Sequence, residues 1–345
     1  MDELTSRQRQ ILTLIVESYI DTRLPVGSRT LAERYGLNLS PASVRHEMGV
    51  LEELGFLTHP HTSAGRLPTD KGYQFYVHEV VKEEPVSQAF VKLISRELKG
   101  RIESLESLME RSSRILSAMA QEAALLISPQ LRKLYLKELS LVPLDETQLI
   151  AVWCTTSGLV KSSVVEMETP ISKEELERIL HFINEELAGA PIGDLEKELL
   201  ERIESRRDSL RRLYEQALRI IQTSISLQEI PRVFVEGSRY ILDQPEFQDV
   251  KKFQSLIATL EEKSSLIDLL KNQSLEQGVH VAIGEKELCK EIWDCAFVSA
   301  PYVWHGRCVG TIGILGPRRM PYGRIMGLVR RMSDEMSQAL DRRGT

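Results

Sequence analysis

Gly36 and the pair Ser40-Pro41 punctuate the first part of this chain so tightly that they leave room for two short helices and the turn between them. Ser28 can cap a helix running through Tyr35, and Gly36 sits where that helix must stop. Ser40 then serves as an N-cap with Pro41 at the first helical position, a place where its missing N–H costs nothing. The second helix runs to Leu54 and Gly55 closes it. Leu31, Leu37, Val44, Met48 and Leu51 supply the small core such a pair needs, and Ala32 is small where the helices cross. A helix precedes the pair over residues 5–20, where Ile11, Leu12, Ile15, Tyr19 and Ile20 recur at three- and four-residue spacing. Thr5 with Gln8 three residues on is its capping box.

With Val44, Met48 and Leu51 facing inward, Ala42, His46, Gly49 and Glu53 point outward, flanked by Ser43 and Arg45. Small and hydrogen-bonding side chains in this place suit a helix entering the DNA major groove, where bulky apolar groups obstruct and donors read base edges. Arg45 and His46 are the candidates for base readout. Ser28, Arg29 and Ser40 lie at helix starts, where amides and hydroxyls hold phosphates. Residues 56–59 then read as a strand, 60–66 as a polar tip and the residues after it as a return strand. Thr62, Ser63 and Arg66 on that tip are further candidate DNA contacts, which makes the unit a winged helix–turn–helix.

The remainder divides by texture. A long amphipathic pattern fills 87–122. Strands are expected at 131–144, 148–155 and 159–167, with turns at Asp145-Glu146 and Ser157-Gly158. Ser172 with Glu175 opens a helical stretch over 170–275 that contains one β-like run, 232–236. Strand patterns return at 279–284, 296–302 and 308–315, and a final helix covers 323–341. The simplest account is an α+β multidomain chain in which one mixed sheet is interrupted by an insert. The expected division is 1–83 for the winged helix, 84–169 for a linker helix and the first part of the sheet domain, 170–275 for the insert and 276–345 for the second part.

The 345 residues carry 44 Lys and Arg against 50 Asp and Glu, a net −6, which argues against a protein coated in basic surface. Region by region the figure reads differently. The insert has 15 basic and 20 acidic residues, whereas the first 75 residues have 8 and 9. The near-neutral reading unit must therefore sort its cations onto one face, and modest non-specific affinity calls for two half-sites engaged together. The four cysteines form no CxxC pair, no stretch approaches a membrane span, and the N-terminus lacks a secretory pattern, so a reduced cytoplasmic protein is expected.

The run PVGSRTLAERYGLNLSPASVRHEMGVLEELGFLTHPHTSAGRLPTDKGYQFYV closely resembles the start of the bacterial heat-inducible transcription repressor family HrcA, and GTIGILGPRRMPYGR at 310–324 is similar to that family's C-terminal signature. The likeness runs the length of the chain. It implies a winged helix, a GAF-like mixed α/β domain and a mostly helical dimerisation domain inserted into it. It further implies a homodimer on an inverted-repeat operator upstream of chaperone operons, repression relieved on heat stress, and a chaperonin that helps the repressor reach its active form. His46 stands where many members carry Asn, and Gly49-Val50 replaces a more usual Ala-Asp. Imidazole makes one hydrogen bond to a base edge but not the bidentate amide–adenine pair.

Other chemistry is weaker. His59 and His61 lack the partners of a metal site, Cys289 and Cys295 read as small core residues rather than a redox switch, and Gly310, Gly313 and Gly316 do not form a GxGxxG cradle. No GxxxxGK[ST], HExxH or GxSxG motif occurs, so neither an enzyme nor a cofactor is expected. The charge alternation of 194–219 reads as a solvated helix face, its apolar side free to pack within the insert or across a dimer. The other readings are a winged-helix regulator controlled by a small effector in its GAF-like domain, and an adaptor whose winged helix binds protein.

Overall fold

The computed structural model describes residues 4–36, 39–59, 65–99, 104–205, 211–224, 231–247, 249–272, 278–284, 288, 292 and 294–342. Three helices open the chain: α1 (Ser6–Thr22), α2 (Ser28–Arg34) and α3 (Pro41–Glu53). The Thr5–Gln8 capping box forms in both directions, at 3.0 and 3.2 Å. Gly27, not Ser28, caps α2, so Ser28 occupies its first turn. Strands β1 (Leu57–Thr58) and β2 (Leu67–Pro68) pair antiparallel, and α4 (Asp70–Glu79) follows, capped by Thr69. Helices α5 (Gln88–Lys99) and α6 (Leu105–Ala120) replace the single long helix expected over 87–122. Ser104 caps α6 by accepting from the Ser107 amide at 3.1 Å.

The sequence suggests one mixed sheet; beyond the wing the described residues form two sheets, both antiparallel. The larger has the order β7-β3-β10-β9-β8. Its members are β3 (Ala123–Ile127), β7 (Val233–Glu236), β8 (His280–Ile283), β9 (Cys295–Trp304) and β10 (Arg307–Pro317). Ala124, Leu126, Val298, Ile312 and Ile314 face the core built with α5, α6 and α13 (Tyr322–Asp341). Leu125, Ile127, Phe297 and Leu315 face the other way, toward α10 (Ser238–Leu242), α11 (Val250–Glu261) and α12 (Lys263–Asn272). Both faces of this sheet are therefore dry, which is why β3 is a continuous apolar run. The β9–β10 hairpin turns on His305 and Gly306, both at positive φ, the geometry that matches strand twist.

The smaller sheet is a meander, β4 (Leu136–Pro143), β5 (Gln148–Thr155) and β6 (Val160–Glu166), with turns where the sequence places them. Asp145 closes the first turn by accepting from the amides of Thr147 and Gln148 at 2.8 and 2.7 Å. These bonds hold its carboxyl below the usual carboxylate range. Helices α7 (Lys173–Glu186), α8 (Leu195–Ser205) and α9 (Arg211–Ser224) cover one face of the meander. Leu139, Trp153, Ile179, Leu199 and Ile220 share that core. This grouping moves the expected insert boundaries. The unit with its own core spans 136–221 rather than 170–275, because the meander packs on the helices that follow it and not on the larger sheet. The helices of 238–272 belong instead to the larger sheet's second face.

The winged helix is not a bead on a string. Its buried Ile11, Leu12, Leu31, Val44 and Leu51 are continuous with the core of α5, α6 and α13. Glu84 N donates to the Gly323 carbonyl at 3.0 Å, and Glu83 pairs with Arg330. A Cβ at position 327 would lie 2.1 Å from the Glu84 carbonyl oxygen, so Gly327 allows the strap over 82–84 to lie flat on α13.

Candidate nucleic-acid interface

α3 is held from beneath and from both ends. Val44, Met48 and Leu51 are buried against α1 and α2. At the start, Ser40 Oγ accepts from the Ser43 amide at 3.1 Å and meets Ser43 Oγ at 2.9 Å. Glu47 ties the middle of α3 to α1, taking a hydrogen bond from Gln8 Nε2 at 3.2 Å and lying 3.7 Å from Arg7. Toward the end, Glu52 faces the wing. The result is a helix fixed on three sides with its fourth turned outward. Ala42, Arg45, His46 and Glu53 are exposed there, and Ser43 and Gly49 are half-buried. Arg45 and His46 have no ion-pair partner among the described residues, so both are available to a ligand.

The other sequence-derived candidates have local partners. Arg29 is exposed but pairs with Glu33 one turn on, at 2.8 Å. An exposed pair of this kind is worth a few tenths of a kcal/mol, little enough for a phosphate to displace. Arg66 is different. Its Nη2 lies 2.7 Å from Glu52 Oε2, and Glu52 also takes the imidazole of His59. Arg66 thus braces the foot of the wing against α3 instead of extending along it. The wing is also wider than the two strands expected. Val26 exchanges both backbone hydrogen bonds with Arg66 at 2.9 Å, adding a third extended segment. Gly65 makes this approach possible, since a Cβ there would sit 2.7 Å from the backbone of Pro25 and Val26. Thr62 and Ser63, like Leu37 and His61, lie outside the described residues.

Sequence reading missed Glu47, Glu52 and His59 as the braces of α3. No spacing rule pairs Arg66 with Glu52 fourteen positions away. It also missed the pairing of the 310–324 signature with the winged helix, through Arg318 and Tyr322. Among the described residues no cluster of three metal-ligating side chains forms, and no helix is long and apolar enough to cross a membrane. Cys295 is buried within β9 and Cys289 lies outside the described residues.

Residues 106–326 match the family model described as the HrcA protein C-terminal domain, and residues 1–65 match the LexA DNA-binding domain model. The chain belongs to the heat-inducible transcription repressor HrcA family. The heat-inducible transcription repressor HrcA of Symbiobacterium thermophilum is 34% identical, over 97% of this chain and 98% of its own. The HrcA repressor of Natranaerobius thermophilus is 36% identical over 99% of this chain and 98% of its own. A crystal structure at 2.2 Å of a protein described as hypothetical superposes with a TM-score of 0.61, covering 99% of this chain and all of that one at 23% identity. That likeness speaks to the fold. The segment beyond the winged helix is an α+β unit, and the N-terminal winged helix is a DNA-binding domain.

Proposed function

We propose that this HrcA-family chain is a sequence-specific repressor of heat-shock operons, binding an inverted-repeat operator as a dimer in the cytoplasm and releasing it on heat stress. The observation that carries the reading is the outward face of α3, where Arg45 and His46 stand exposed and without ion-pair partners beside the small residues Ala42 and Ser43. Arg45 reads a base edge, and His46 supplies one further hydrogen bond. Ser28, Arg29, Ser40 and Ser43 hold backbone phosphates on either side. Thr62 and Ser63 are assigned to the wing's contact with DNA, with Arg66 as its brace. Family membership favours this reading over a metabolite-responsive regulator or a protein-binding adaptor, and the work is done by binding rather than by catalysis.

A dimer needs a surface, and the meander offers one. Its outer face carries Val142, Ile150, Val152, Val160 and Val164 with Ser140 and Ser162 between them, and no charge at its centre. Val142, Val160 and Val164 are 49%, 62% and 56% exposed. The proposed occupant is the same face of a second copy, since a valine-rich centre with its carboxylates, Glu138 and Glu166, confined to the ends of the strands is complementary to itself. The chaperonin's role in supplying active repressor rests on the family resemblance. Equal yields of active protein on refolding with and without chaperonin would remove it.

A gel shift with an inverted-repeat duplex tests the central claim. One specific dimer complex is expected, weakening with salt at about 0.9 log units per phosphate contact per log unit of salt. Arg45→Ala should cost about 1–3 kcal/mol of specific binding. Unchanged specificity in Arg45→Ala and His46→Ala together would show that α3 is not the reading helix.

A further inference from the structure

β10 and α13 are joined by a bend of two adjacent arginines whose side chains leave in different directions. Arg318 reaches the winged helix. Its Nε lies 3.0 Å from Oδ1 of Asp70, the first residue of α4, and its Nη2 lies 3.3 Å from Asp294 at the entrance to β9. Arg319 turns into the protein and is 7% exposed. Its Nη2 donates to Glu246 Oε2 at 2.9 Å and to Gln244 Oε1 at 2.7 Å. Both acceptors lie between α10 and α11, in the helical layer on the larger sheet's second face.

The surroundings lock the bend. The Tyr322 hydroxyl donates to the Arg318 carbonyl, and the Tyr322 ring packs against Tyr73 of α4 at 6.4 Å. Gln74 Nε2 donates to the Ile283 carbonyl at 3.0 Å, so α4 is also tied to the edge strand β8. Breaking one partner from a buried guanidinium leaves an uncompensated charge, which makes the arrangement all-or-none. Because the two arginines are adjacent, a displacement of the bend's backbone carries both guanidinium groups with it, which links the α10–α11 layer to Asp70.

We propose that Arg318 and Arg319 are positioning residues: they fix the angle of the winged helix on the larger sheet, so that the two α3 helices of a dimer meet a single half-site spacing. This role rests on the dimeric operator reading above. It needs neither arginine to touch DNA.

The test uses full-length protein and a series of inverted-repeat duplexes whose central spacer changes one base pair at a time. The unaltered protein should prefer one spacing sharply. Arg318→Ala, and Asp70→Asn, which keeps the start of α4, should reduce that preference at least tenfold while leaving non-specific affinity and its salt slope unchanged. Glu246→Gln, on the Arg319 side, should do the same. Arg318→Lys, which keeps the charge but reaches one carboxylate at a time, should be intermediate. Variants that keep the full spacing preference, or lose affinity equally at every spacing, would overturn the latch. If the unaltered protein ignores spacing, the dimeric reading fails, and the latch with it.

Discussion

The two large sheets of this protein share an antiparallel pattern and differ in what covers them. The five-stranded sheet is buried on both faces, by α5, α6 and α13 on one side and by α10 to α12 on the other. Among the described residues the meander is covered on one face only, and its other face shows valine to solvent. Chain connectivity does not require this difference. A sheet sealed twice is a platform that can carry the winged helix without distortion. A sheet sealed once has apolar area left to bury, and burying it against a copy stabilises association at roughly 25 cal/mol per Å². With the proposed dimer, the division of labour is rigid mounting in one region and assembly in the other.

The sharpest way to break that comparison is to charge the open face. Val160→Asp with Val164→Asp should leave the helical content intact and turn the dimer into monomer by sedimentation equilibrium. Operator affinity should fall by about two orders of magnitude or more, since a single reading head loses the second half-site. An unchanged dimer would place assembly elsewhere. Next in size, Leu126→Ala in the doubly covered sheet should cost about 2–5 kcal/mol in denaturant unfolding, because Leu126 is fully buried and its cavity cannot collapse. A loss below about 1 kcal/mol would mean that this sheet is not the close-packed platform described.

A smaller effect tests the junction between the platform and the winged helix. Burial pushes the Glu122 carboxyl up to about 8, with Arg319 opposing and Glu246 reinforcing the shift. A carboxyl raised in the folded state favours folding at low pH. Its contribution is complete below about 4.5 and is lost as pH rises toward about 8, where the folded protein must hold a buried charge. Glu122→Gln should therefore raise the melting temperature at pH 7 to 8 and flatten its decline across that window. A steeper decline in the variant would show that the ionised form is the one the fold prefers. Smallest of all, Ser40→Ala removes one helix cap and should cost about 1 kcal/mol, read as a lower melting temperature with the fold unchanged.

Legibility in the sequence followed the range of the interaction. Thr5 with Gln8, Ser40 with Pro41 and Ser172 with Glu175 are contacts across three residues or fewer, and all three mark helix starts as read. The Gly27–Ser28 start slipped by one residue because serine is the better cap by type. β3 went unread: AALLI is buried on both faces and has no alternation to betray a strand. Ser104 did carry the cap signal that opens α6, but the apolar spacing ran through it. The outward face of α3 was legible because a helix wheel needs only local geometry. Its braces were not, since Glu52–Arg66 and Asp70–Arg318 are charge pairs fixed by the tertiary fold.

β3 is laid down early, yet its neighbours in the sheet are β7 and β10, the latter from near the end of the chain. The hydrogen bond from Tyr302 to the Ile127 carbonyl alone closes a span of 175 residues. Such loops must close before any pairing rewards them, so this topology is expected to complete its sheet late. Until then an uncharged, strand-forming AALLI segment stays unpaired, open to aggregation and to any factor that shelters apolar chain. A delay in completing this sheet is the physical ground on which the proposed help from a chaperonin rests.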